Sequence, residues 1–308
     1  MLRLGLCCMF RDEAIKFGTT TVTAVSKLTR SDALRKFSHL CLANADALLA
    51  ALRFCAANNI GCFRVNSQIL PIKTHAVHGY RLEELPEATE IQQRFLSCGA
   101  FAREQQLRTC FHPDQFVVLN SPRADVVQKS IAELEYQAEV AEWIGADVIN
   151  IHGGGAYGNK PQALSDFARN VELLSNRVRS RLTVENDDKI FTPQDLLPLC
   201  HEIGIPLVYD VHHHRCHGDG LNLEQATKEA VKTWNREPLF HISSPIEGWA
   251  GPKPERHHDF IDPNDFPRDW LKKSITVEIE AKAKEVAIAK LQQDLQLTTP
   301  RKRKPRAV

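Results

Sequence analysis

The stretch SPRADVVQKSIAELEYQAEVAEWIGADVINIH, Ser121 to His152, decides the fold class. Ser121 and Pro122 read as the N-cap and first residue of a helix. Val127, Ile131, Leu134, Ala138 and Ala141 then recur at four- and three-residue spacing, and Gly145 stops the run. Asp147 to His152 follows as a short, β-rich apolar segment, so the stretch is a helix feeding a buried strand. The same alternation extends in both directions. Apolar runs occur at Arg3 to Cys8, Cys62 to Asn66, Arg108 to His112, Asp147 to His152, Leu182 to Glu185, Pro206 to Asp210, Leu239 to Ile242 and Ile275 to Ile279. Thr192-Pro193 to Gly204 repeats the helix punctuation after the fifth run, and Ser31 to Asn59 is a longer helical stretch with a break expected near Asn44. Eight parallel strands, each followed by a helix, are the number at which such a sheet closes. The expectation is an α/β chain folded as a single (β/α)8 TIM barrel over residues 1–297, with residues 298–308 a disordered basic tail.

Composition agrees with that size. With 308 residues and 43% hydrophobic content the chain can bury one large core. No run of about 18 apolar residues occurs, and MLRLGLCCMFRDE lacks both a long apolar stretch and a small-residue cleavage site. The expectation is a soluble, cytoplasmic protein with no membrane partner. Nine cysteines, odd in number and without a C-x-x-C, suit free thiols in a reducing compartment. The net charge of +1 conceals an asymmetry: RKRKPR, Arg301 to Arg306, carries five positive charges, so the remainder stands at −4. A slightly acidic body suits a nucleic-acid binder only if bound cations neutralise several carboxylates.

Active sites of parallel barrels lie at the C-terminal ends of the strands. There the third run ends at His112, the fourth at His152 and the fifth at Glu185. The sixth ends at Asp210 with His213 just beyond, the seventh runs through His241, and Glu280 follows the eighth at once. A single histidine at a strand end is ordinarily a hydrogen-bonded structural residue, but five strands ending in ligand-type residues on one rim is not a packing pattern. Imidazoles and carboxylates without a thiolate pair describe a site for zinc, manganese or a related first-row ion. Seven donors exceed one ion's needs, and clustered ions activate water against phosphodiesters. His212 and His214 read as bystanders, because Asp210 and His213 share a direction once the chain turns past the strand. Gly153-Gly154-Gly155 lacks the Lys and Ser/Thr of a phosphate loop, so no nucleotide cofactor is expected, and it reads as room for close approach to His152. Cys7 and Cys8 close the first run on the same rim and read as buried thiols. Phe116 and Trp249, in rim loops, are candidates for wedging into or stacking on bases.

RVNSQILP (Arg64 to Pro71), FHPDQF, INIHGGG, LTVEND, YDVHHH, FHISSP, RHHDFI and VEIEAKAKE resemble the UV damage endonuclease family, over nearly the whole chain. That family is similar in fold and metal site to endonuclease IV. The resemblance implies three divalent ions, Mn2+ first with Zn2+, Co2+ or Mg2+ as alternatives. It implies His112 and His152 on one ion, Glu185 bridging to a second held also by Asp210, His241 and Glu280, and His213 and His257 on the third. Glu185, Asp210, His241 and Glu280 would be the catalytic set, Gln115 and Phe116 the lesion-probing pair, and Glu255 a further acidic candidate. It further implies a monomer acting on double-stranded DNA, nucleoid-associated when bound. The nick would fall immediately 5′ to cyclobutane pyrimidine dimers and 6-4 photoproducts, leave a 3′-hydroxyl and a 5′-phosphate, and start excision repair. Three positions depart from the pattern: Phe116 replaces a tyrosine, Leu6 an aromatic residue, and Leu239 a lysine found in some relatives. Rival readings are an abasic-site endonuclease, a metal-dependent sugar isomerase and a non-catalytic damage-binding module.

Overall fold

A computed structural model describes residues 1–297; the expected basic tail lies outside the described residues. The strands are β1 (Arg3–Cys7), β2 (Cys62–Val65), β3 (Arg108–Phe111), β4 (Val148–His152), β5 (Leu182–Glu185), β6 (Leu207–Val208), β7 (Leu239–Ile242) and β8 (Thr276–Ile279). All pair in parallel, in the order β6-β5-β4-β3-β2-β1-β8-β7. The seam between β6 and β7 is closed by a parallel bridge of Asp210 with His241 and by the His241 amide donating to the Tyr209 carbonyl at 3.1 Å. The expected barrel is therefore present, with strand bounds within two residues of the sequence reading.

Around it run α1 (Val22–Val25), α2 (Arg30–Ala57), α3 (Ala88–Glu104), α4 (Ala124–Ile144), α5 (Lys160–Val171), α6 (Asn176–Arg179), α7 (Pro193–Ile203), α8 (Val211–Cys216), α9 (Leu223–Lys232) and α10 (Lys284–Asp294). The expectation of a helix after every strand fails once. Between β7 and β8 the Pro-rich excursion forms only a short 3-10 turn, Arg268–Lys272. α7 opens on a Thr192–Asp195 capping box and ends at Gly204 with φ 68°, as its punctuation predicts. The opening of α4 differs. Arg123 is its N-cap, and Ser121 instead accepts the Arg123 amide at 3.2 Å, holding a turn before the helix.

α2 is long and apolar enough, by length and composition, to cross a membrane. Its apolar stripe Phe37, Cys41, Ala45, Leu48, Leu52 and Cys55 is buried, at the three- and four-residue spacing of one helix face. No break occurs near Asn44. That side chain is buried and spans the helix–loop gap: its amide donates to the Gly18 and Ile69 carbonyls, and its oxygen accepts the Gly18 amide at 2.6 Å. The polar residue thus ties the loop after β1 to the helix rather than interrupting it.

Inside the barrel, Cys62, Cys110, Val148, Val208 and Leu239 form a separate buried apolar cluster. It plugs the barrel beneath the rim.

Candidate metal centre

Along a strand, residues two apart point to one face. Two residues beyond the members of the apolar plug stand Arg64, His112, Asn150, Asp210 and His241, all turned to the rim centre. Glu185 from the end of β5 is the hub. Its Oε2 accepts from Asn150 Nδ2 at 2.5 Å and lies 2.9 Å from His112 Nε2, while its Oε1 lies 3.1 Å from His241 Nδ1 and 3.4 Å from His213 Nδ1. Glu280 joins from just past β8, with Oε1 3.5 Å from His241 Nδ1 and Oε2 3.8 Å from His257 Nδ1. α8 begins at once after Asp210, whose side chain caps it by accepting the His213 amide at 2.8 Å. This places Asp210 and His213 on one side, as their spacing predicts. Asn186 holds the Asp210 backbone from both sides, donating to its carbonyl at 2.9 Å and accepting its amide at 3.0 Å.

The ring contacts show which nitrogens face the centre. His112 Nδ1 donates to the Pro113 carbonyl at 3.1 Å, and His213 Nδ1 to the Asn186 carbonyl at 3.0 Å. His112 then presents Nε2 to Glu185, whereas His213 keeps Nδ1 on the side of Glu185 and Asp210. His241 Nε2 lies 2.8 Å from Glu278 Oε2 and 3.0 Å from the Arg64 guanidinium, and its Nδ1 faces Glu185 and Glu280. Ring nitrogens and carboxylate oxygens therefore face one another across the centre, where a divalent cation would take the place of the protons they share. Buried atoms without hydrogen-bond partners tell the same story: Glu185 Oε1, Asp210 Oδ2, His152 Nδ1 and His241 Nδ1. Donor atoms converge in three rim groups: His112, His152 and Glu185; His112, His241 and Glu280; Glu185, Asp210 and His213. The residues fit divalent cations.

Electrostatics follow the same convergence. Burial disfavours the Glu185 carboxylate, yet His241, His152 and His112 hold its pKa well below the ordinary carboxylate range. Burial alone would lower the His241 pKa, but Glu185 and Glu280 raise it to about 10, so in the metal-free protein the ring carries a proton. Burial opposes charge on His213 too, and Asp210 and Glu185 overcome it to raise that pKa.

Of the remaining expected residues, His257 approaches Glu280 but belongs to none of the tight donor groups among the described residues. Glu255 joins none of them either. Gln115 and Phe116 lie on the loop after β3, Phe116 76% exposed, and line a groove of about 1280 Å³ that reaches His152. Trp249 is tethered instead, donating to Asp265 at 2.7 Å beneath the Arg215 guanidinium and beside His212. His214 is structural, bound by the Tyr209 hydroxyl and Asp219. His212 is buried with neither ring nitrogen partnered, next to His257. The triple glycine is not simply open space. A side chain at Gly153 would meet Phe191 and one at Gly154, φ 84°, would meet Asn120, although Gly154 and Gly155 do border the groove. Cys7 is buried and donates to the Ile279 carbonyl.

The sequence reading missed Arg64 and Glu278. Arg64 forks onto Glu278, with Nε 2.8 Å away, and onto Glu280 Oε1 at 2.7 Å, while Glu278 orients His241 and accepts the Cys110 thiol at 3.0 Å. Burial would raise the Glu278 pKa, but Arg64 and His241 bring it down to about 2. The signal was available: Glu278 and Glu280 are two apart on one strand row, so a ligand at one puts the other directly beneath it.

A parallel barrel whose rim gathers this set of imidazoles and carboxylates is the scaffold of a metal-dependent enzyme. More particularly, the chain belongs to the UV-endonuclease UvdE family, whose model matches residues 2–304, and is a metal-dependent DNA repair endonuclease of that family. It is 32% identical over 290 residues to the UV DNA damage endonuclease of Bacillus velezensis, covering 90% of this chain and 88% of the relative. It is 33% identical over 291 residues to that of Halalkalibacterium halodurans, with the same coverage of 90% and 88%. The crystal structure of SacUVDE superposes with TM-score 0.85 at 28% identity, covering 96% of this chain and 98% of the other. Endonuclease IV from Thermus thermophilus, at 17% identity and TM-score 0.60 over 82% of this chain and 95% of its own, shares the fold.

Proposed function

We propose that the protein nicks duplex DNA immediately 5′ to UV photoproducts, both cyclobutane dimers and 6-4 products, leaving a 3′-hydroxyl and a 5′-phosphate. The observation that carries this reading is the rim on which imidazole nitrogens and carboxylate oxygens converge, several of them buried without partners, beside the groove. Three divalent ions, manganese first, would be held by His112, His152, Glu185, Asp210, His213, His241, His257 and Glu280. When bound they supply activation of water and neutralisation of phosphodiester charge.

The chain's own residues do the rest. Glu185 bridges the donor groups, and Glu278 fixes the ring of His241 so that Nδ1 faces the centre. The groove is larger than the roughly 300–1,000 Å³ of small-molecule sites, which favours a stretch of polymer over a sugar. Photoproducts share weak stacking rather than one hydrogen-bond pattern, so recognition rests on deformability, with Phe116 filling the space left by the displaced bases. Acting on a lesion in duplex DNA, the protein works as a monomer in this reading.

The test is strand cleavage with manganese or with chelator on end-labelled duplexes carrying one thymine dimer, one abasic site or no damage. A manganese-dependent nick just 5′ to the dimer is expected. Cutting of the abasic duplex alone would replace the photoproduct reading with an abasic-site one.

A further inference from the structure

The groove accounts for one side of the metal centre only. On the other side, between the ends of β1, β2 and β8, lies a smaller pocket of about 400 Å³, lined by Arg64, Arg256, Lys282 and Lys284 together with Cys8, His257 and Glu280. Four cations thus face a single carboxylate, and that carboxylate is one a bound metal would neutralise. Arg64 is committed to Glu278 and Glu280, and Arg256 reaches Glu247 only at 3.9 Å. Among the described residues no ion pair engages Lys282 or Lys284. Two wall residues are in the left-handed region despite carrying side chains, Cys8 with φ 45° and Lys284 with φ 52°. Such strain persists where surrounding contacts over-determine the backbone. Here Glu285, next to Lys284, accepts the amides of Arg11 at 2.8 Å and Asp12 at 2.7 Å, fastening the loop after β1 onto α10.

His152 borders the groove and belongs to one donor group, whereas Glu280 borders the pocket and belongs to another. The metal centre therefore separates the two. If the lesion, which is 3′ to the cut, occupies the groove with Gln115 and Phe116, the strand 5′ to the cut must leave over the pocket. We propose that this pocket is a subsite for a backbone phosphate on the 5′ side of the cut, held by Lys282, Lys284 and Arg256. The proposal rests on the photoproduct reading above and adds a direction of the strand across the rim.

The test uses the full chain with manganese, in single-turnover nicking of a thymine-dimer duplex with protein in excess. The variant is Lys282→Gln with Lys284→Gly, the glycine removing the charge while relieving the positive φ. Single methylphosphonate replacements are then scanned along the damaged strand. The half-saturating protein concentration should rise roughly tenfold, the plateau rate should stay, and the slope of log affinity against log salt should fall by about one per lysine. One methylphosphonate on the 5′ side should weaken wild type and weaken the variant much less, with only Arg256 left to hold the phosphate. Additive losses in the variant, or sensitivity confined to the 3′ side, would overturn the subsite while leaving the photoproduct reading intact. Failure of the wild type to nick the dimer duplex would remove both.

Discussion

Two layers of the same barrel interior, one residue pair apart, have opposite chemistry. The lower layer, Cys62, Cys110, Val148, Val208 and Leu239, is buried and apolar. The upper, Arg64, His112, Asn150, Asp210 and His241, is nearly as enclosed yet polar, and Asp210 Oδ2 and His241 Nδ1 lack partners. Burying apolar surface stabilises the fold by about 25 cal/mol per Å². Burying unpaired carboxylates and imidazoles opposes it. The lower layer therefore supports the barrel, and the upper layer is tolerable because cations complete it.

The sharpest way to break this contrast is at the hub. Glu185→Ala should reduce manganese-dependent nicking on the order of 10³-fold and lower bound metal, while the barrel still folds on its apolar layer. Rate measurements beside chemical denaturation would separate the two effects. Leu239→Ala, one layer down, should do the reverse: about 2–5 kcal/mol lost in unfolding free energy, with metal stoichiometry unchanged. Glu278→Gln acts from the lower layer, where this carboxylate lies level with Cys62 and against Cys110. It keeps the shape but weakens the hold on His241, and manganese affinity should drop roughly 10- to 100-fold in a competition titration.

A smaller effect concerns protons. Without metal, His241 keeps its proton up to about pH 10, so its stabilisation is fully present below the ordinary imidazole range near 6.5 and is lost as pH rises through 10. A ligand ring must be neutral. Metal binding at pH 7 should then release protons, and affinity should rise with pH; calorimetry in buffers of different ionisation heat measures the number released. Heats independent of buffer would mean that the His241 ring is already neutral in the metal-free protein at that pH. Least in size, Phe116→Ala should weaken binding to the dimer duplex several-fold while leaving metal content alone, because the ring is exposed and remote from the donors.

Which of these features are legible in the sequence follows from what each depends on. Strand positions depend on local apolar runs, and the runs locate them to within two residues. The rim ligands are visible because a barrel strand must end at the rim, so residue type and place together identify them. The opening of α4 is ambiguous because Ser121 can cap a helix or hold a turn with equal chemistry, and it holds a turn. Asn44 resembles a break because its partners, Gly18 and Ile69, are remote in sequence. Arg64 is hidden for the same reason, since its pairing with Glu278 exists only once β2 and β8 flank β1, whereas the two-residue spacing to Glu280 does mark Glu278. The triple glycine reads as room for close approach to His152, but Phe191 and Asn120, remote in sequence, occupy part of that room.

The most direct test of the layered account is to strip the protein with chelator, dialyse it against manganese and measure bound metal per chain alongside the melting temperature, for wild type and Glu185→Ala. The account predicts three ions and a chelator-reversible rise in melting temperature for the wild type, with fewer ions and a diminished rise for the variant. A wild-type protein that binds no metal, or a variant that binds as many ions with the same rise, would contradict it.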